Sequence, residues 1–112
     1  MPINSREKGK RAELEVAHIL KEYGFTDSRR SQQYAGINSD ADVVGLPGVH
    51  IEVKHVEKLN LDKAMEQSCR DAKADEIPVV IHRKNRGKWN ITMSLESFLE
   101  RFYNQKGITG AE

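Results

Sequence analysis

Apolar residues recur at helical spacing from about Arg6 to Tyr23, where Ala12, Val16, Ile19, Leu20 and Tyr23 fall on one stripe. Ser5 is placed to cap the start of this helix and Gly24 to stop it in a left-handed conformation. The pattern then breaks. From Gly24 to Asp40 the chain is polar, running Thr26-Asp27-Ser28-Arg29-Arg30-Ser31-Gln32-Gln33 before Tyr34, Gly36 and Asn38. A loop of that length in a small domain is a functional candidate, and part of it can pair as an edge strand.

Two strand-like runs follow, Ala41 to Gly45 and Val49 to Lys54, and the turn signal Leu46-Pro47-Gly48 joins them into a β-hairpin. Leu61 to Ala74 predicts a second helix with Leu61, Ala64, Met65, Ser68 and Ala72 inward. Ile77 to His82 and Lys88 to Met93 predict a strand pair around Asn85-Arg86-Gly87, with Trp89 packed on the sheet. Ser94 caps a last helix whose Leu95, Phe98, Leu99 and Phe102 are expected to face the core, and residues 106–112 are expected to fray. Helix, hairpin, helix, strand, strand, helix is the order of an α/β domain, a central mixed sheet flanked by helices.

Composition narrows the class. A chain of 112 residues fits one domain, and 38% hydrophobic with 31% charged residues fits a globular protein with a heavily charged surface. The longest apolar runs, such as Ile77-Pro78-Val79-Val80-Ile81, are too short to span a bilayer, and Met1 to Lys8 shows no signal-peptide pattern. Cys69 is the only cysteine, so no internal disulfide forms and a reducing, cytoplasmic setting is expected. His18, His50, His55 and His82 lack zinc-ligand spacing. The net charge is +1, so the distribution of charge matters more than its sum. Basic residues gather at Arg6 to Arg11, at Arg29-Arg30 and from Arg83 to Lys88, which fits either nucleic-acid binding or an ordinary solvated surface.

The hairpin carries the candidate chemistry. On its second strand His50, Glu52 and Lys54 share the face opposite Val49, Ile51 and Val53. If Leu46-Pro47-Gly48 is a three-residue loop closed by Gly45 and Val49, Asp42 lies opposite Glu52, with Cα atoms about 4.5–5.5 Å apart. If Pro47-Gly48 is a two-residue turn, Asp42 faces the other way. Two carboxylates so close repel unless a cation sits between them, and oxygen ligands suit Mg²⁺ or Mn²⁺ better than zinc. Lys54 beside them can stabilise developing negative charge or orient a water, a set that matches phosphodiester hydrolysis. The competing reading is a surface salt bridge between Glu52 and Lys54, with Asp42 merely ending a loop. His50 shares the Glu52 face, but its position reads as an exposed strand-end histidine. Tyr34 is a weak candidate for stacking on a base.

Asp42 and Glu52-Val53-Lys54 resemble the signature of the PD-(D/E)XK nuclease superfamily, with its restriction-endonuclease-like core. Lys8-Gly9 followed by Glu13, and the serine-bearing basic loop Arg29-Arg30-Ser31, resemble archaeal-type Holliday junction resolvases. Gln67 sits on the helix after the Glu-Val-Lys strand, where such nucleases often carry a glutamine. The resemblance runs over roughly residues 6 to 93. It implies metal ligation by Asp42, Glu52, the Val53 carbonyl and Glu13, with Lys54 catalytic and Gln67 steering a lysine or water. Ser31 and Arg30 would approach the scissile phosphate, while Arg29, Lys8 and Gly9 would contact DNA. On residue pattern alone Glu13 and Gln67 equally suit solvent-facing helix positions, and Arg29-Arg30 an exposed basic loop. The resemblance further implies a Mg²⁺-dependent endonuclease (Mn²⁺ substituting) that cuts branched DNA as a homodimer, two-fold symmetry supplying two sites for two cuts. Flaps, single strands and simple duplex remain alternative substrates, and a non-catalytic DNA-binding module of the same fold is the alternative from another class.

Overall fold

The computed structural model describes residues 5–31 and 41–103. Tyr34, the rest of the polar stretch 32–40 and the tail 106–112 lie outside the described residues. The chain runs α1 (Ser5–Glu22), β1 (Arg29–Arg30), β2 (Val43–Val44), β3 (Val49–His55), α2 (Leu61–Asp71), β4 (Ile77–Arg83), β5 (Asn90–Thr92) and α3 (Leu95–Phe102). The five strands form one sheet in sequence order, antiparallel except for the parallel β3–β4 pair that α2 connects. The expected mixed sheet and helix order are therefore present, and β1 is the edge strand that the polar stretch was expected to supply.

Local chemistry ends the helices where it should. Gly24 at φ +102° lets its own N–H reach the carbonyl of Lys21 and that of Phe25 reach Leu20, the double closure of a glycine-terminated helix. Asn60 caps α2 by accepting from the Lys63 N–H. α2 stops at Asp71, short of the expected Ala74. Ala72 turns extended, and the Glu76 side chain takes the Lys73 N–H to close a tight turn instead.

α1 and α2 cover opposite faces of the sheet. Ala12, Val16 and Ala17 of α1 pack on Val43, Ile51, Val53 and Val79, with Trp89 at the margin. On the other face α2 buries Ala64 and Ser68, and the Ser68 hydroxyl donates to the Val79 carbonyl at 2.9 Å. β3 is thus enclosed on both faces, and Glu52 is 1% exposed.

α3 departs from expectation. Ser94 caps it as foreseen, accepting from Ser97 N–H. Its stripe does not reach the core: Leu95 is 71% exposed, Leu99 44% and Phe102 52%, and no residue of the helix is buried. The sheet has already filled its two faces with α1 and α2. Phe98 packs on Phe102 and Tyr103 instead.

Candidate active site

The hairpin adopts the register that makes a site. Val43 pairs with Ile51, so the three-residue loop holds and Asp42 falls opposite Glu52. Asp42 lies just before β2, where its N–H donates to the Ile51 carbonyl at 2.8 Å and its Oδ2 accepts from the Val53 N–H at 2.8 Å. In an extended strand a residue's carbonyl leaves on the same edge as its N–H, so the Val53 carbonyl is also directed to the Asp42 edge.

The two carboxyls interact directly. Burial first, then the charge and hydrogen-bonding contact of Asp42, push the Glu52 pKa up to about 7, against the smaller opposing pull of His50. Around this pair the structure gathers most of the expected residues. Glu13 projects from α1 and its Oε1 accepts from Arg30 Nε at 2.9 Å. Its pKa is raised by burial and by Asp42, with Arg30 and Lys54 opposing. Ser31 is tied in by its backbone, donating to the Asp42 carbonyl at 3.0 Å. Gln67 bridges the remaining two, its Nε2 donating to Glu52 Oε1 at 3.3 Å and its Oε1 accepting from Lys54 Nζ at 3.4 Å. Lys54 also lines a cleft of about 440 Å³ shared with Asn60, Lys63 and Arg70.

Other expected residues lie apart. Arg29 is exposed on the sheet edge, and among the described residues its side chain donates to the Asp27 carbonyl. The charge of Lys8 is felt at His55. Gly9, one helical turn before Glu13, has open space where a side chain would stand. Trp89 packs at the core margin as expected and donates to Glu15 at 2.6 Å, with Arg83 5.4 Å from its ring centroid.

His50 requires correction. It is 1% exposed, with Nε2 2.8 Å from Glu52 Oε2 and Nδ1 3.6 Å from Glu76 Oε1. Strand alternation already placed His50 and Glu52 on one face. That α2 would roof that face, turning a strand-end histidine into a buried partner, depends on tertiary packing.

Does the donor set suit a metal? Among the described residues no three His, Cys, Asp or Glu side chains are arranged to hold one, since Glu13 is drawn to Arg30. The Asp42–Glu52 pair does fit a divalent cation. An ionised carboxylate has about four lone-pair positions, so Glu52 keeps acceptor capacity beyond His50 and Gln67, and a cation between the pair would relieve the repulsion that adds to burial in raising its pKa.

The family model described as "phage putative PDDEXK endonuclease" matches residues 4–110. The chain belongs to that family. No curated protein and no solved structure matches it. Membership in this phage PDDEXK endonuclease family bears out the expected superfamily and the α/β core, and it makes the chain a nuclease of a kind that generally uses divalent metal ions. The match is to a phage endonuclease group, and the finer likeness to archaeal-type junction resolvases is not part of it. Among the described residues no helix is long and apolar enough to cross a membrane.

Proposed function

We propose that this chain is a Mg²⁺-dependent endodeoxyribonuclease whose ion is held by Asp42 and Glu52, with the Val53 carbonyl as a further ligand. The observation that carries the reading is the contact of the buried Glu52 carboxyl, pushed to about 7, with the strand-anchored Asp42, beside a lysine held by Gln67. When bound, the ion supplies Lewis-acid polarisation of the phosphate and lowers the pKa of a coordinated water. Lys54 then offers a positive charge at the position where negative charge grows, and Gln67 keeps its ammonium near Glu52. Arg30 holds Glu13 next to Asp42, and in doing so it compensates a third carboxylate that would otherwise repel phosphate. Glu13 is the candidate to join the ion when Arg30 turns to a bound backbone.

Branched DNA is the proposed substrate, with the four-way junction foremost. The support is the meeting of Glu13, Arg30 and Ser31 around Asp42, part of the set, with Lys8, Gly9 and Arg29, on which the resolvase resemblance rests. Symmetric cuts need two sites, and the exposed Leu95, Phe98, Leu99 and Phe102 of α3 offer an apolar surface for a homodimer. The test is cleavage of four-way junction, flap, single-stranded and linear duplex DNA in Mg²⁺, with Glu52→Gln as control. Faster cutting of the junction supports the substrate assignment. Equal rates on linear duplex would refute it, and full activity of Glu52→Gln would refute the metal site.

A further inference from the structure

We propose that His50 is a positioning residue of the nuclease centre, fixing the Glu52 carboxylate through Nε2 so that it presents its free lone pairs to the ion. The inference rests on the reading that Asp42 and Glu52 hold a divalent cation. Both side chains are 2% exposed and their contact is 2.8 Å, at the short end for a nitrogen–oxygen hydrogen bond. A carboxylate only accepts, so with Glu52 ionised the His50 Nε2–H is the donor.

Behind the imidazole stands Glu76, beyond hydrogen-bond reach. Nδ1 lies 3.6 Å from Oε1 of Glu76, and that oxygen also takes the Lys73 N–H at 2.9 Å, which closes the turn after α2. Burying an imidazole costs free energy unless its polar atoms are partnered, and a site needing only volume is filled better by an apolar side chain. His50 therefore sits there for its nitrogen. Its effect on Glu52 complements that of Gln67: His50 holds Oε2 while Gln67 holds Oε1, so the carboxylate is pinned at both oxygens and cannot rotate freely. The two pins come from different directions, one from the same strand and one from α2. The line of contacts Glu76, His50, Glu52, Gln67, Lys54 runs from the turn after α2 to the catalytic lysine. Outer partners of metal ligands of this kind typically govern metal affinity by about 10–100-fold.

The test measures Mn²⁺ affinity of the full chain without DNA, by electron paramagnetic resonance, alongside thermal melting. His50→Leu should weaken Mn²⁺ binding about 10-fold or more, while His50→Gln, whose amide nitrogen reaches about as far as Nε2, should recover most of it. His50→Asn ends short of Oε2 and should bind as weakly as His50→Leu. If His50→Leu does not fold, the Gln and Asn variants decide. Equal Mn²⁺ affinity of the parent and His50→Asn or His50→Leu, with Glu52→Gln losing binding, overturns the role of His50 and leaves the metal site standing. Undiminished binding by Glu52→Gln overturns the metal site itself, and the proposal with it.

Discussion

Asp42 straddles Glu52, donating its N–H to the Ile51 carbonyl and accepting the Val53 N–H on Oδ2, each at 2.8 Å. The same side chain thus sets the strand register and supplies half of the anionic centre. Asp42→Asn separates the two duties, because an amide oxygen still accepts from Val53. The variant should keep parental stability to within about 1 kcal/mol. Cleavage should fall by about 10³-fold, several kcal/mol of lost cation-assisted stabilisation. Denaturant melts and single-turnover cleavage measure the two. Parental cleavage would show that Asp42 serves the hairpin alone.

The raised pKa of Glu52 fixes a pH dependence. A carboxyl whose pKa is near 4.5 unfolded and about 7 folded binds its proton more tightly in the native state. Its stabilising contribution is complete below about pH 4.5 and is lost as pH rises through about 7. Without metal, stability should therefore decline from about pH 5 to 8, on the order of 1–3 kcal/mol. Glu13, also raised, adds in the same direction. Mg²⁺ favours the ionised form and should flatten the decline, while cleavage should rise over the same range. Melting curves with chelator and with Mg²⁺ test this. Glu52→Gln removes the titrating group, so an unchanged slope in that variant would assign the effect elsewhere.

Periodicity reached the hairpin, both covering helices and the Asp42–Glu52 alternative, because each depends on local alternation or turn chemistry. It did not reach His50 or α3, and the two misses share a cause. Alternation assigns residues to a face without saying what covers that face. α2 closes over the His50 side and nothing among the described residues covers the α3 stripe, so a polar residue became buried and an apolar stripe stayed exposed. Arg30 meeting Glu13 across seventeen positions of sequence was likewise beyond residue spacing. The family resemblance placed both at one site, Glu13 with the metal and Arg30 with the phosphate, but not in contact.

That difference in covering predicts unequal core sensitivity. Ile51 is 0% exposed between Val43 and Val79, so Ile51→Ala should cost about 2–5 kcal/mol, transfer and cavity terms together. Leu99 on α3 is 44% exposed, and Leu99→Ala should cost under about 1 kcal/mol. Chemical denaturation at low protein concentration reads both. A Leu99→Ala loss as large as that of Ile51→Ala would mean that α3 is covered in solution.

DNA binding should depend unevenly on the basic residues. Arg29 is exposed and unpaired with any described carboxylate, so Arg29→Ala should lower the salt slope of binding by about 0.9 and leave the turnover rate unchanged. Lys63, on the cleft that runs from Lys54, should behave alike. Arg30→Ala should cost more, since it also strips Glu13 of its counter-charge beside Asp42. Binding titrations at several salt concentrations with chelator present separate these outcomes. Slopes identical to the parent for Arg29→Ala and Lys63→Ala would remove both from the DNA path.

Gly45 controls how closely the basic edge approaches the carboxylates. It sits at φ +110°, and a Cβ there would lie 2.4 Å from the Ser28 Cα and 2.6 Å from the Ser28 nitrogen. Both are backbone atoms, so no side chain can swing aside. Ser28 leads directly into Arg29 and Arg30, which pair with Val44 and Val43. Gly45→Ala must therefore push β1 off β2, pulling Arg30 from Glu13 and Ser31 from Asp42. The expected loss is about 2–4 kcal/mol, accompanied by weaker cleavage. Gly48→Ala is the control. Its φ is +74° with open space around the added methyl, so it bears only the left-handed strain of about 1–2 kcal/mol. A larger loss at Gly45, seen in both melting and cleavage, would tie the site to this contact between the edge strand and the hairpin. Equal losses at the two glycines would mean that β1 is not held against β2 in solution, and that Arg30 reaches Glu13 by another path.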